Sequence, residues 1–186
     1  MKTYILLVLA TVFLTSSTSA QPKSNDAISR QIKALKIEKT FTLSYDQNSN
    51  VTKLMAVTEN FSDLDAGNTG IQAMNFAIGF MYSGKELAKA PDNVLLTFWV
   101  LAKKPRFAVS NNLLLLATNF DLGSARYAAK PRQNMEYLNF EISRENLKKI
   151  AGERDARIQL GEAGLTFTSS QLKAISDIIT LSDPRL

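Results

Sequence analysis

Neither histidine nor cysteine occurs in the 186 residues, and the two absences together remove most familiar catalytic centres. A Ser-His-Asp triad, a cysteine nucleophile, a zinc site of histidine or cysteine ligands and iron-sulfur ligation all need one or the other. Disulfides are excluded too, so the fold must hold by burial of its core. A domain of about 150 residues can manage this, because it hides roughly 70 % of its unfolded surface. Glycine is sparse, at 8 residues. None of these glycines falls in a G-x-x-x-x-G-K-[ST] phosphate loop or a G-x-G-x-x-G dinucleotide fingerprint, so no cofactor is expected.

What is present begins with the first 20 residues. Lys2, an apolar stretch over 4–14 and the small polar ending Thr18-Ser19-Ala20 have the three-part layout of a secretory signal peptide. The apolar stretch is roughly a dozen residues long, whereas a spanning helix needs about twenty. The chain is therefore expected to divide into a signal peptide at 1–20, a polar segment with a short helix at 21–36, and a single domain at 37–186. Cleavage after Ala20 would leave an exported protein, periplasmic or secreted in a bacterium, with no transmembrane anchor. The net charge of +5 is a mild excess, which a solvated basic face explains. The basic residues are dispersed and the compartment is wrong for nucleic acid, so no nucleic-acid partner is expected.

Periodicity then sets the fold class. Phe41, Leu43 and Tyr45 alternate with Thr40, Thr42 and Ser44, and residues 46–50 (DQNSN) are turn formers before strand chemistry resumes at 51–57, which predicts a β-hairpin. Met74, Phe76, Ile78 and Phe80 alternate with Ala73, Asn75, Ala77 and Gly79, predicting a strand with a large-residue core face. Residues 94–102 (VLLTFWVLA) and 113–117 (LLLLA) are nearly unbroken apolar runs, expected as central strands covered on both faces. Further strands are expected over 125–129 and 136–142. The last third reads strand, helix, strand, helix, with Ser143 as one N-cap and Thr168-Ser169-Ser170-Gln171 as a capping box opening the final helix. The expected class is α+β: a mainly antiparallel β-sandwich or curved sheet with two C-terminal helices.

Leu116-Ala117, Leu122-Gly123, Tyr127, the run 136–143 (EYLNFEIS), Leu147-Lys148-Lys149-Ile150, Leu160-Gly161 and the step from Phe167 to Ile175 resemble the C-terminal half of uncharacterised exported bacterial proteins. The resemblance spans roughly the last 75 residues. It implies a compact sheet-and-helix fold and supplies no catalytic residues.

Four constellations carry some chemistry. Ser170 and Lys173 have S-x-x-K spacing, but the companion motifs are missing and a helix start explains Ser170. Asp63, Asp65 and Asn68 offer oxygen ligands in a glycine-containing loop, yet Gly67 and Met74 occupy positions where a calcium loop needs oxygen, so a polar loop is the plainer reading. Glu136, Glu141, Glu145 and Glu162 are the carboxylates on which acid-base chemistry could rest. Nothing in their spacing pairs them. The fourth is the pair of tripeptides Lys104-Pro105-Arg106 and Lys130-Pro131-Arg132, extended by Lys103 and Arg126. Proline stiffens each loop, and arginine offers a fork suited to phosphate, sulfate or carboxylate. If strands 94–102 and 125–129 run in the same direction, the two loops form one patch; if they run oppositely, no patch exists. The leading expectation is a non-enzymatic binding domain of the cell envelope whose partner is a protein or an anionic ligand held by these loops. A hydrolase using carboxylates or the Ser170 and Lys173 pair, and a structural subunit of an envelope assembly, are the alternatives.

Overall fold

The computed structural model describes residues 22–62, 70–154 and 156–185. The proposed signal peptide and the loop carrying Asp63, Asp65 and Asn68 lie outside the described residues.

The chain is α+β, and every strand pairing is antiparallel. The elements are β1 (Lys23–Ser24), α1 (Asn25–Ala34), β2 (Phe41–Asp46), β3 (Val51–Val57), β4 (Ile71–Ser83), β5 (Glu86–Leu87), β6 (Asn93–Ala102) and β7 (Asn112–Leu115). Then come β8 (Phe120–Ser124), β9 (Arg126–Lys130), a 3-10 turn (Pro131–Gln133), β10 (Met135–Ser143), α2 (Arg144–Gly152), β11 (Arg157–Leu160), β12 (Ala163–Thr166) and α3 (Ser169–Leu181). A six-stranded sheet runs β2-β3-β4-β6-β10-β9, a four-stranded sheet runs β12-β11-β7-β8, and β1 pairs with β5. Residues of both larger sheets and all three helices join one hydrophobic core.

The caps behave as the residue types dictate. Ser24 and Ser143 each accept a hydrogen bond from the backbone N–H three residues on, at 3.2 Å. Thr168 and Gln171 close a reciprocal capping box at the start of α3, satisfying two amide donors that a helix start leaves free. The N-terminal segment is more ordered than its polarity suggests, because Ile28 and Ile32 bury one side of α1.

Large side chains at alternate positions of the six-stranded sheet enter the core, as the period of two requires. Phe76, Phe98 and Phe140 there are each at most 1 % exposed. Phe61 and Phe167 complete a cluster of rings with centroids 5.4 to 6.1 Å apart, among them the edge-on pairs Phe76 with Phe167 and Phe98 with Phe140. Helix α3 packs on β4, α1 and α2, while α1 lies against β2 and α2 against β10. Gly79 in β4 must be glycine, since a Cβ there would collide with the carbonyl of Leu54 on the neighbouring strand.

Two expectations need correction. Residues 94–102 and 113–117 are not covered on both faces: Leu95 is 39 % and Leu116 41 % exposed, and Thr97, Trp99 and Leu101 are half-buried. These runs are apolar on their outward side as well, so the sequence hid the alternation. The C-terminal third also contains one strand more than expected, because Gly161, at φ +55°, turns β11 back into β12.

A polar lock closes the fold where its ends meet. Lys23 Nζ donates to the carbonyls of Leu181 (3.4 Å) and Asp183 (3.0 Å). Arg144 donates to Ser182 Oγ (3.1 Å), the Ile179 carbonyl (3.1 Å) and Asp183 Oδ2 (3.3 Å). Burial pushes the Lys23 amine below its ordinary range, and the charge of Asp183 partly offsets this. Asp183 is held well below the usual carboxylate range, first by the Arg185 side chain and then by its backbone N–H, with the charges of Arg185 and Arg144 adding to the effect. A carboxylate depressed in the folded state stabilises the protein above its unfolded pKa, about 4, and loses that contribution as pH falls below it. Urea unfolding of the wild type and Asp183→Asn should therefore give midpoints that differ at pH 7 and converge as pH falls from about 4 toward 2. A gap that persists undiminished to pH 2 would mean the carboxylate charge is not what holds the lock.

Candidate anion-binding end of the large sheet

Strand β10 pairs antiparallel with both β6 and β9, so β6 and β9 run in the same direction. Residues 103–106 leave the end of β6, and the turn 131–133 leaves the end of β9. Both therefore emerge at one end of the six-stranded sheet. The register shows how near they are: Lys130 faces Met135 on β10, and Met135 faces Leu101 on β6. The Ala102 amide donates to the Asn134 carbonyl at 3.0 Å, and Asn134 adopts φ +54° to return the chain into β10. Pro105 and Pro131 face a cleft of about 230 Å³ between the loops, with Lys103, Ala129 and Met135 also on its wall.

Glu136 sets the shape of this end. It lines the cleft, is only 2 % exposed, and sits on the core side of β10. Both of its carboxylate oxygens accept from the Arg106 N–H at 3.0 Å, and Oε1 accepts from the Phe107 N–H at 3.0 Å. The Tyr127 phenol is pushed up by burial first, and then by its interaction with the Glu136 carboxylate. Phe107, 2 % exposed, anchors the loop in the core. The loop amides are thus spent on an internal anion, and an external ligand would be met by side chains.

Those side chains are available. Lys103, Lys104, Arg106, Lys130 and Arg132 are all exposed, and none forms a salt bridge among the described residues. Lys130 Nζ sits 5.3 Å from the centre of the Tyr137 ring, a cation–π placement that leaves its charge uncompensated by any carboxylate. Five cations therefore share one end of the sheet.

Arg126 does not join them. It opens β9, four residues and roughly 13 Å along the strand from Lys130, and its guanidinium pairs with Glu141 at 2.8 Å. Sequence reasoning grouped it with the loops because position along a strand cannot be read from charge. Glu136 was missed as a positioning residue for the opposite reason: it looked like one of several scattered carboxylates. The signal that could have found it is a carboxylate in phase with Leu138, Phe140 and Ile142, on the core side of its strand.

The other constellations separate. Lys173 is 58 % exposed and pairs with Asp177 at 2.6 Å, so it does not approach the desolvated state that could activate a serine. Ser170 donates to Glu59, as does Thr168 at 2.9 Å, and these bonds, Ser170's first, hold the Glu59 carboxyl below its usual range. The serine ties a loop to the start of α3. Glu136 and Glu141 project from opposite faces of β10, Glu145 lies in the first turn of α2, and Glu162 is exposed in the β11–β12 turn. No group of three or more potential metal-ligating side chains occurs among the described residues, and no described helix is long and apolar enough to cross a membrane.

No family model matches the chain, and no curated protein and no solved structure shows significant similarity to it.

Proposed function

We propose that the chain is an exported, non-enzymatic binding domain of the bacterial cell envelope that engages an anionic ligand through Lys103, Lys104, Arg106, Lys130 and Arg132. The observation that carries this reading is the shared direction of β6 and β9, which brings five cations without salt-bridge partners among the described residues to one end of the sheet, where a proline-walled cleft lies between their loops. Arginine forks and lysine point charges held on short, stiff loops suit phosphate, sulfate or carboxylate groups. The buried Glu136 contributes by fixing the loop backbone.

Long-chain polyphosphate is the direct probe. Reversing charge at Lys104, Arg106, Lys130 and Arg132 together should weaken polyphosphate binding by on the order of a hundredfold and flatten its dependence on salt. The thermal midpoint should stay within a few degrees, because exposed positions contribute little to stability. Binding that is unchanged by the reversals and insensitive to salt would remove these loops from the function.

A further inference from the structure

The core-facing side of the six-stranded sheet is covered by helices and the second sheet, and its outer side carries side chains unusual for a surface facing water. Met81 is 60 % exposed, Met55 42 %, Val57 41 % and Leu95 39 %. Register places Met55, Gly79 and Leu95 in one row across β3, β4 and β6. The small Ala77 and Gly79 leave a trough of about 430 Å³ between the longer side chains. Two rows further along β6, Trp99 faces Tyr137, and in the next row Leu101 faces Met135, which in turn faces Lys130. The hydrogen-bonded polar pair Thr97 and Asn139 lies between Leu95 and Trp99, so the apolar trough and the basic end share one face of the sheet with a narrow polar row between them.

Charge along this surface is ordered. Arg126 is matched by Glu141, and Lys53 lies within electrostatic reach of Asp46 at the end of β2. The middle of the face is thus close to neutral, and the unmatched positive charge sits at one end. Exposed aliphatic side chains, a half-buried tryptophan and tyrosine, and a cluster of lysines and arginines on one face are the three kinds of side chain that meet the acyl boundary, the interface and the anionic headgroups of a bilayer. A soluble polyanion would use the basic end and leave the aliphatic side chains in water, where contiguous apolar surface is otherwise avoided.

We infer that the outer face of the large sheet, together with the basic end, is a docking surface for an anionic lipid bilayer. This rests on the proposed anion-binding reading and names the anion as a lipid headgroup presented at a membrane.

The chain's single tryptophan, Trp99, lies inside the proposed contact and reports on it directly. The apolar stretch 4–14 would bring any chain that retains it to vesicles, so the measurement is fluorescence of Trp99 rather than sedimentation. Vesicles of phosphatidylglycerol with brominated acyl chains should quench Trp99 by about half or more and shift its emission to the blue, while phosphatidylcholine vesicles should do neither. Met81→Asp with Leu95→Asp, and separately Lys103→Ala with Lys130→Ala, should each raise the lipid concentration for half-quenching by on the order of tenfold. All four positions are exposed, and unchanged thermal midpoints confirm that folding is intact. Equal quenching by both lipids, no quenching, or quenching that survives Met81→Asp with Leu95→Asp overturns the inference. If polyphosphate binds with loop dependence while brominated vesicles leave Trp99 untouched, the anion-binding reading stands and the bilayer is wrong. If neither binds, both readings fall.

Discussion

Truncating Phe76 to alanine is expected to lower the free energy of unfolding by about 3–5 kcal/mol and the thermal midpoint by roughly 10 °C, at some 2–4 °C per kcal/mol for a domain of this size. The ring is fully buried and meets three others: Phe61 at 6.1 Å, Phe98 at 5.9 Å and Phe167 at 5.4 Å, the last edge-on. These partners come from the loop after β3, from β6 and from the entry to α3. Removing the ring opens a cavity that no single side chain can fill, because each neighbour belongs to a different element with its own backbone restraints. The loss also removes aromatic pair geometry worth about 0.5–1.5 kcal/mol per pair beyond area. Thermal unfolding followed by circular dichroism measures it. A cost below about 1 kcal/mol would show that the neighbours collapse into the space and that the five rings are not a rigid unit.

The second large effect is expected at Glu136. Alanine there orphans the amides of Arg106 and Phe107, the second of which lies in the core, and a buried unsatisfied donor costs about 1–3 kcal/mol each. Glu136→Ala should therefore destabilise by about 2–5 kcal/mol, well beyond what its side-chain area suggests. Glu136→Gln keeps one acceptor oxygen and should cost less than half as much. Hydrogen exchange distinguishes this local event from global weakening: the Arg106 and Phe107 amides should lose protection in the glutamine variant while amides of β4 and β6 keep theirs. Polyphosphate affinity should fall in step, since the loop that presents Lys103, Lys104 and Arg106 no longer has a fixed backbone. Unchanged protection at both amides would mean that Pro105 and the buried Phe107 ring hold the loop without the carboxylate.

Much of the architecture is legible in the residues because its determinants are local. The β2–β3 hairpin announces itself by alternation on both sides of residues 46–50, where Asp46 accepts from the Asn48 N–H at 2.9 Å and the Ser49 hydroxyl at 2.7 Å. Ser143 and the Thr168–Gln171 box mark two helix starts through bonds spanning three residues. The missed features depend on partners distant in sequence. β8 shows no clean alternation over Phe120–Ser124 and exists because β7 pairs with it, through a register shift between Leu113 and Leu114. Whether Leu95, Thr97, Trp99 and Leu101 are covered is decided by what packs over them, and a run of apolar letters looks the same in either case. The candidate site divides along the same line. The lysines, arginines and prolines of the two loops were visible as chemistry, whereas their meeting required β10 to sit between β6 and β9. The depth of Glu136 is set by a loop 30 residues before it in the chain.

The stitch made by Lys23 has a consequence for how the domain can be carried. Its amine holds residue 23 against carbonyls of residues 181 and 183, so both ends of the described fold leave from neighbouring points. A tether at either end suspends the domain from almost the same place, and a host chain could accept the domain inside one of its own surface loops without being pried apart. The same adjacency makes the order of elements a matter of where the chain is cut: joining the ends with a short linker and opening a distant turn would leave the core contacts intact.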